Sequence, residues 1–305
     1  MTPAVAAATT TRRDVETGML IMAVAMLMLP GIDAFAKLLS ATVPPGQVAL
    51  ARFFFQTVLM LAGLLACGRR LTRVHLGVNA GRGLAMAGAT LCFFWGLKYL
   101  PIADAIAIFF VEPLILTLLS AVFLRERIGW RRLTAIAIGF VGALIVIRPS
   151  YEVFGWAAVL PLCAAVSFAT YLLLTRYAAP GGDALAMQFY AGLFGGIVIC
   201  VALAFGAVSD IPILQLVRPT AGEWLMMTGV GVIATTGHIM VVIAFSRAQA
   251  GVLAPFQYLE ILSATVLGLM IFDDFPDATR WFGVAVIIAS GLYVFHRERK
   301  LARAG

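Results

Sequence analysis

LPIADAIAIFFVEPLILTLLSAVFLRER, residues 100–127, and AQAGVLAPFQYLEILSATVLGLMIFDDF, residues 248–275, lie 148 positions apart and follow one pattern. Each is an apolar run with a carboxylate near its middle, Glu112 in the first and Glu260 in the second, and Glu126 falls on Asp274. A second correspondence, at an offset of 136, sets ATVPPGQVALARFFF (residues 41–55) on YAAPGGDALAMQFYA (residues 177–191), with Pro44 on Pro180 and Phe53 on Phe189. Identity between the copies is low, so the order and spacing of elements carry the inference that nearly the whole chain is an internal duplication.

Around these stretches the composition is 62% hydrophobic and 12% charged, with mean hydropathy +0.99. Soluble chains carry about 25% charged residues, and so little polar chain cannot cover many apolar helices in water. The expected fold is an all-α polytopic membrane protein with ten transmembrane helices, near 19–39, 47–67, 79–98, 102–124, 132–148, 155–176, 185–206, 223–246, 251–272 and 280–296. Each is close to the length of about 20 residues that a bilayer core requires. Five helices per copy is an odd number, so the second copy enters from the opposite face and the two five-helix repeats are inverted. The expected divisions are a disordered cytoplasmic N-terminus (1–17), a first repeat (18–150), a second repeat (151–297) and a basic cytoplasmic tail (298–305). No signal peptide is read before the first full-length helix. The loops are short, the longest being 206–222, so the machinery is expected inside the bilayer. Cys67, Cys92, Cys163 and Cys200 are scattered singly in apolar segments and read as small packing residues.

Lys and Arg collect on the cytoplasmic side of a membrane protein. With a cytoplasmic N-terminus, that side receives sixteen of the 22 basic residues, Arg82 among them. The other six are Lys37, Arg52, Lys98, Arg148, Arg218 and Arg280. Both termini are therefore expected in the cytoplasm, with the chain in the cell inner membrane. The net charge of +7 is accounted for by this bias and by contact with the lipid bilayer, and no nucleic-acid partner is implied.

Depth selects the candidate site. At 1.5 Å per residue, Glu112 and Glu260 lie about 15 Å into their helices, close to the midplane of a core about 30 Å thick. A carboxylate there must be paired, solvated in a cavity or protonated, which is the property a proton-coupled carrier uses; locking two helices together is the structural alternative. Asp33, Lys37 and Arg52 form a second constellation at the outward ends of the first two helices. Asp33 and Arg52 sit at similar depth and are read as an outer gate or a static ion pair, with Lys37 snorkelling outward. Their counterparts in the second copy, Ala169 and Gln188, carry no charge. Gln257 and Tyr258 follow Pro255, whose missing N–H opens the local backbone, and Pro113 and Pro30 stand beside Glu112 and Asp33 in the same way. His238, in the middle of the eighth span, completes the substrate-binding or proton-binding set. Candidate pocket walls are Trp95, Phe109, Phe110, Tyr171, Gln188 and Phe256, and Gly192 with Gly196 reads as a close helix contact.

The chain holds no zinc motif, nucleophile elbow or phosphate-binding loop, so neither an enzyme nor a metal or cofactor site is expected. The expected partners are a small-molecule substrate and lipid, with a homodimer left open. The stretches LLSAVFLRERIGWRRLTAIAIGFVGALIVIRP (118–149) and AGVLAPFQYLEILSATVLGLMIFDDFPDATRWFGVAVIIASGLYVFHRE (250–298) resemble the EamA-type transporters of the drug/metabolite transporter superfamily. The resemblance covers nearly the full chain and implies ten helices and secondary transport or exchange of small metabolites such as amino acids, nucleotide-derived compounds or vitamins. It departs from the family pattern at Glu112, where many members carry a neutral residue, and at Asp274, where Glu is usual. An intramembrane enzyme and a channel-like or structural protein are the competing classes.

Overall fold

A computed structural model describes residues 12–68, 76–123, 130–178, 183–248 and 250–304. Its described residues form thirteen α-helices: α1 (Arg12–Met28), α2 (Pro30–Leu39), α3 (Pro45–Ala66), α4 (Leu76–Leu97), α5 (Ile102–Phe109), α6 (Glu112–Phe123), α7 (Trp130–Phe154), α8 (Leu160–Ala178), α9 (Ala184–Ser209), α10 (Ala221–Arg247), α11 (Ala250–Gln257), α12 (Leu259–Phe272) and α13 (Ala278–Ala304). Short 3-10 turns at Gly155–Val159 and Pro212–Leu214 complete them.

Local chemistry sets many of these boundaries. Pro30 and Pro45 open α2 and α3, where a missing N–H costs nothing because the first turn has no intrahelical acceptor. Thr220 and Glu223 form a reciprocal capping box on α10, and the Asp183 carboxylate accepts from the backbone N–H of Leu185 at the start of α9. At the end of α12, Asp273 takes a left-handed conformation (φ 56°) while the N–H groups of Asp273 and Asp274 donate to the carbonyls of Leu269 and Gly268. This pattern closes the helix and turns Asp274 back over its end.

Among the described residues, six stretches are long and apolar enough to cross a membrane: Arg13–Leu39, Pro45–Ala66, Ile102–Phe123, Tyr151–Ala178, Leu185–Ser209 and Ala221–Arg247. Leu133–Ile147, Leu259–Phe272 and Ala278–Tyr293 are shorter apolar helices, and α4 is an apolar helix with Asn79 and Arg82 buried in it. Leu65, Val122, Val208, Leu225 and Met270 are among many large apolar side chains fully on the outside, the surface of a protein solvated by lipid.

Several expectations change at this level. Helix α1 starts at Arg12, inside the segment read as disordered, with Asp14 in its first turn where the helix dipole favours an acid; residues 1–11 lie outside the described residues. Helix α13 runs on through the basic tail to Ala304. Cys67, Cys163 and Cys200 are exposed rather than packed. Arg82, counted above with the cytoplasmic surface charges, is only 1% exposed. Glu126, Pro180, Arg69, Arg70, Arg73, Arg125 and Arg127 lie outside the described residues.

Helices from the two copies interleave. Helix α1 packs on α10 and α8 on α4; α1 and α2 pack on α11 and α12, while α8 packs on α5 and α6. Helix α3 lies against α9 and α10, α9 against α3 and α4, and α7 against α13. Exchanging the halves leaves this set of contacts unchanged. The crossings are close because glycine stands at them: a Cβ at Gly192 would come within 2.9 Å of Thr57, so the expected helix contact at this motif is present between α9 and α3.

Candidate functional site

Two of the long apolar stretches and the apolar run 250–272 are broken in the middle, and the breaks define the site. Helix α1 yields to α2 at Leu29, α5 to α6 at Phe110 and Val111, and α11 to α12 at Tyr258. At the second break, Pro113 cannot supply the N–H that the Phe109 carbonyl would accept, and its ring presses on that carbonyl. Pro30 acts likewise on Met26 at the first break, whereas at the third the proline, Pro255, lies within α11 just before the break. Phe110 (φ −65°, ψ 0°) and Tyr258 (φ −71°, ψ −10°) are 148 positions apart in the sequence, share one backbone conformation, and bring their rings to 5.4 Å.

Each break starts a new helix, and each new helix carries an acid in its first turn: Asp33 in α2, Glu112 in α6 and Glu260 in α12. The positive end of a helix dipole is a favourable place for a carboxylate. All three acids line one cavity of about 250 Å³ between the two copies.

Arg52, His238 and Gln257 line the same cavity, so six sequence-selected polar residues converge there with Phe109 and Phe110. Arg52 is 7% exposed; its Nη1 donates to Thr90 Oγ1, and its Nε has no partner. Glu112 is 8% exposed, and its Oε1 is likewise unpartnered. His238 Nδ1 lies 2.6 Å from the Ala234 carbonyl; since a carbonyl can only accept, Nδ1 carries the hydrogen. Asp33 is within electrostatic reach of Arg52 and Glu260, and Arg52 of His238. Asp33 makes no described ion pair with Arg52 within bonding distance; the two face the cavity separately.

The remaining candidates are elsewhere. Lys37 does not join Asp33 and Arg52. Its Nζ sits 2.7 Å from Asp274 Oδ2 and donates to the Leu100 carbonyl at 3.0 Å, over the Phe272 ring. A neighbouring ion pair links Arg280 of α13 to Asp104 of α5 at 3.1 Å, so two pairs tie the copies together at this end of the bundle. Tyr171 and Gln188 turn away from the cavity into a polar network around Arg82. The guanidinium donates to Asn79 Oδ1, Thr175 Oγ1, the Met187 carbonyl and the Tyr171 hydroxyl, which in turn donates to Gln188 Oε1 at 2.7 Å. Trp95 packs on Trp156, and Phe256 joins a cluster with Met22 and Leu253. Tyr258 is the break residue, its hydroxyl directed at Gly291.

Sequence reasoning missed the wall that α4 supplies. Met86, Ala89, Thr90, Phe93 and Phe94 all line the cavity, and their spacing is that of one helix face. That stripe, with a threonine and an alanine at its centre, was the available signal. Phe168 of α8 extends the wall: ring centroids run from Phe93 to Phe109 at 5.3 Å and from Phe109 to Phe168 at 5.5 Å. Among the described residues no group of three or more His, Cys, Asp and Glu is arranged to hold a metal.

A helical membrane bundle with interleaved halves and a largely apolar cavity, into which a few ionisable side chains converge at its broken helices, has the build of a membrane transporter. The model of the EamA-like transporter family matches residues 16–148 and again 155–295, and the chain belongs to that family. It is therefore a transporter-family protein and not an enzyme. A Rickettsia bellii S-adenosylmethionine uptake transporter is 27% identical over 88% of this chain and 89% of its own. A Vibrio cholerae riboflavin transporter is 28% identical over 85% and 86%, and the pseudopaline exporter CntI of Pseudomonas aeruginosa is 26% identical over 90% and 94%. A solved crystal structure matches 94% of this chain and 99% of its own with a TM-score of 0.64 at 20% identity, a likeness of fold alone.

Proposed function

We propose that the protein is a secondary carrier that moves a small organic metabolite across the bacterial inner membrane by alternating access. In this reading ten spans form two inverted five-helix repeats: the six long stretches, the three shorter apolar helices and α4. Both termini are cytoplasmic, and the Lys37–Asp274 and Asp104–Arg280 pairs close the outer face. The observation that carries the reading is the convergence of three half-helices, each with its own acid, on one cavity between the copies. Discontinuous helices at the midplane are the sites that carriers use for substrates and coupling ions.

Glu112 and Glu260 then bind a proton or a cationic substrate group, so that their occupancy sets which way the cavity opens. Arg52 with Asp33 orients an anionic group, and Gln257 supplies neutral hydrogen bonds. The named cargoes of the relatives, S-adenosylmethionine, riboflavin and pseudopaline, support a small metabolite as cargo and span both uptake and export. Counterflow in proteoliposomes tests the reading: preloaded solute should drive transient uphill entry of label, with a rate that depends on pH. Glu112→Gln and Glu260→Gln should abolish or flatten that dependence. Wild-type exchange and pH profile in both variants would remove the carboxylates from the mechanism.

A further inference from the structure

We propose that Cys92 of α4 and Cys163 of α8 are a redox pair that closes to a disulfide by exchange with a disulfide-class oxidant, stapling together two helices that wall the cavity. The pair is a modification site outside the cavity itself. Its oxidation from the outer face, and the counterflow readout below, rest on the carrier reading above.

The register of the two helices brings the sulfurs together. Arg82, near the start of α4, reaches Tyr171 and Thr175 in the second half of α8, whereas Gly96, at the end of α4, meets Leu160 at the start of α8, so the helices run antiparallel. A Cβ at Gly88 would lie 3.8 Å from Ser167 Cβ, and one at Gly96 would lie 3.4 Å from Leu160 Cβ. Cys92 stands midway, four residues after Gly88 and four before Gly96, on the same helix face. Cys163 stands four residues before Ser167 and three after Leu160, on the facing stripe of α8. Cβ atoms bridged by a disulfide are about 3.5–4.5 Å apart, close to the separations at both flanking crossings. The two thiols are also within electrostatic reach of one another. Distant in the sequence, they form a facing pair in the fold, and both are free thiols.

Exposure sets the order of the chemistry. Cys163 is exposed on the outside of the bundle and Cys92 is half-buried. As the thiolate, Cys163 attacks one sulfur of the oxidant, forming a mixed disulfide and releasing the first thiol. Cys92 then attacks the Cys163 sulfur, closing the bond between them and releasing the second thiol. The protons of both cysteines go to the two leaving thiolates. One turn from Cys92, Trp95 packs on Trp156 at 4.9 Å, with Tyr99 beside it, an aromatic layer of the kind found at membrane interfaces. In the proposed orientation this is the outer interface, facing the oxidising side of a bacterial inner membrane.

The staple is confined to one side of the cavity. Helix α8 packs on α4, α5 and α6, and α1 packs on α10, α11 and α12. The bond joins two helices of the first group and leaves the second free to move against it. At the matching crossing of α1 on α10 the counterparts are Leu27 and Met240, which form no such bond.

The test is incubation of the purified full chain in detergent with oxidised glutathione, followed by thiol counting after denaturation and by peptide mapping. Free thiols should fall from four to two, a linked Cys92–Cys163 peptide should appear, and dithiothreitol should reverse both. The unfolding midpoint should rise by about 5 °C, while counterflow stays within about twofold. Cys92→Ser and Cys163→Ser should each abolish the link; the wild-type map stands alone if a variant does not fold. Four thiols retained, glutathione adducts without the link, or links through Cys67 or Cys200 would overturn the proposal and leave the carrier reading standing. Counterflow lost on oxidation and restored by dithiothreitol would overturn the staple and make the bond a lock. In sealed vesicles, a link formed only from the cytoplasmic face would instead sink the proposed orientation and keep the pair.

Discussion

Phe110 and Tyr258 stand 148 positions apart, hold nearly the same backbone conformation and touch one another, each just ahead of a half-helix that begins with an acid. Asp33 and Arg52 face no such counterparts: 136 positions on, Ala169 is buried in the unbroken helix α8, and Gln188 is engaged with Tyr171 and Gln56. The fourth spans of the two copies are built alike, while the first two are not. Repetition in the fourth spans suits a movement that must run equally in two directions. Divergence in the first two suits recognition, because a guest without two-fold symmetry needs a pocket without it.

The comparison breaks most visibly at the acids. Glu112→Gln and Glu260→Gln should each lower transport on the order of 100-fold, which corresponds to about 2.7 kcal/mol of lost stabilisation. Similar losses in both would support equivalent work by the repeated halves. A loss confined to Glu112 would assign Glu260 to the structure and leave only one acid in the cycle.

A second pair sharpens the same symmetry through stability. Gly83 on α4 and Gly231 on α10 are also 148 positions apart. An added Cβ would meet Phe194 at 2.4 Å in the first case and Phe55 at 2.4 Å in the second. Gly83→Ala and Gly231→Ala should each destabilise the bundle by about 1–3 kcal/mol, the usual cost of overpacking, and thermal unfolding in detergent measures it. If only one does, the crossings of third on second helices are not equivalent.

On the divergent side, Gln188→Leu should leave transport within about twofold while removing the acceptor of a buried hydroxyl, at a cost of about 1–3 kcal/mol. The same unfolding assay reads that loss. A collapse of substrate affinity would instead return Gln188 to the site from which the geometry removes it.

Depth arithmetic reached Glu112 and Glu260 because a residue's height in a span follows from counting. Rotation about the helix axis does not follow so easily. Trp95 and Tyr171 are aromatic, apolar-flanked and at plausible heights, yet they face Trp156 and Arg82, and only packing against neighbouring helices decides that. Arg82 was misread for a related reason: counting charges near helix ends cannot see that Thr175, Met187 and Asn79 offer enough oxygens to bury a guanidinium. The α4 stripe was legible, since Met86, Ala89, Thr90 and Phe93 follow the helical period, but it reads as ordinary packing until the opposite wall is known. The partner of Lys37 lies 237 residues away and was beyond any local pattern.

That long-range pair gives the smallest expected effect and the finest probe of the two halves. Lys37 and Asp274 are partly exposed, 16% and 32% at their side chains, so the pair should contribute about 0.5–1 kcal/mol. If it fastens the copies at the outer face, Lys37→Gln should leave the fold intact and shift the population towards outward-open by about two- to fivefold. A cysteine introduced at Ala89 on the cavity wall should then react faster with an impermeant thiol reagent added from outside. The shift should be mimicked by Asp274→Asn, and adding the second substitution to the first should do little more, because the two remove one interaction. Fully additive effects, or unchanged labelling in both single variants, would show that the contact merely decorates the rim, and closure of that face would fall to Arg280 with Asp104, whose side chain is 1% exposed.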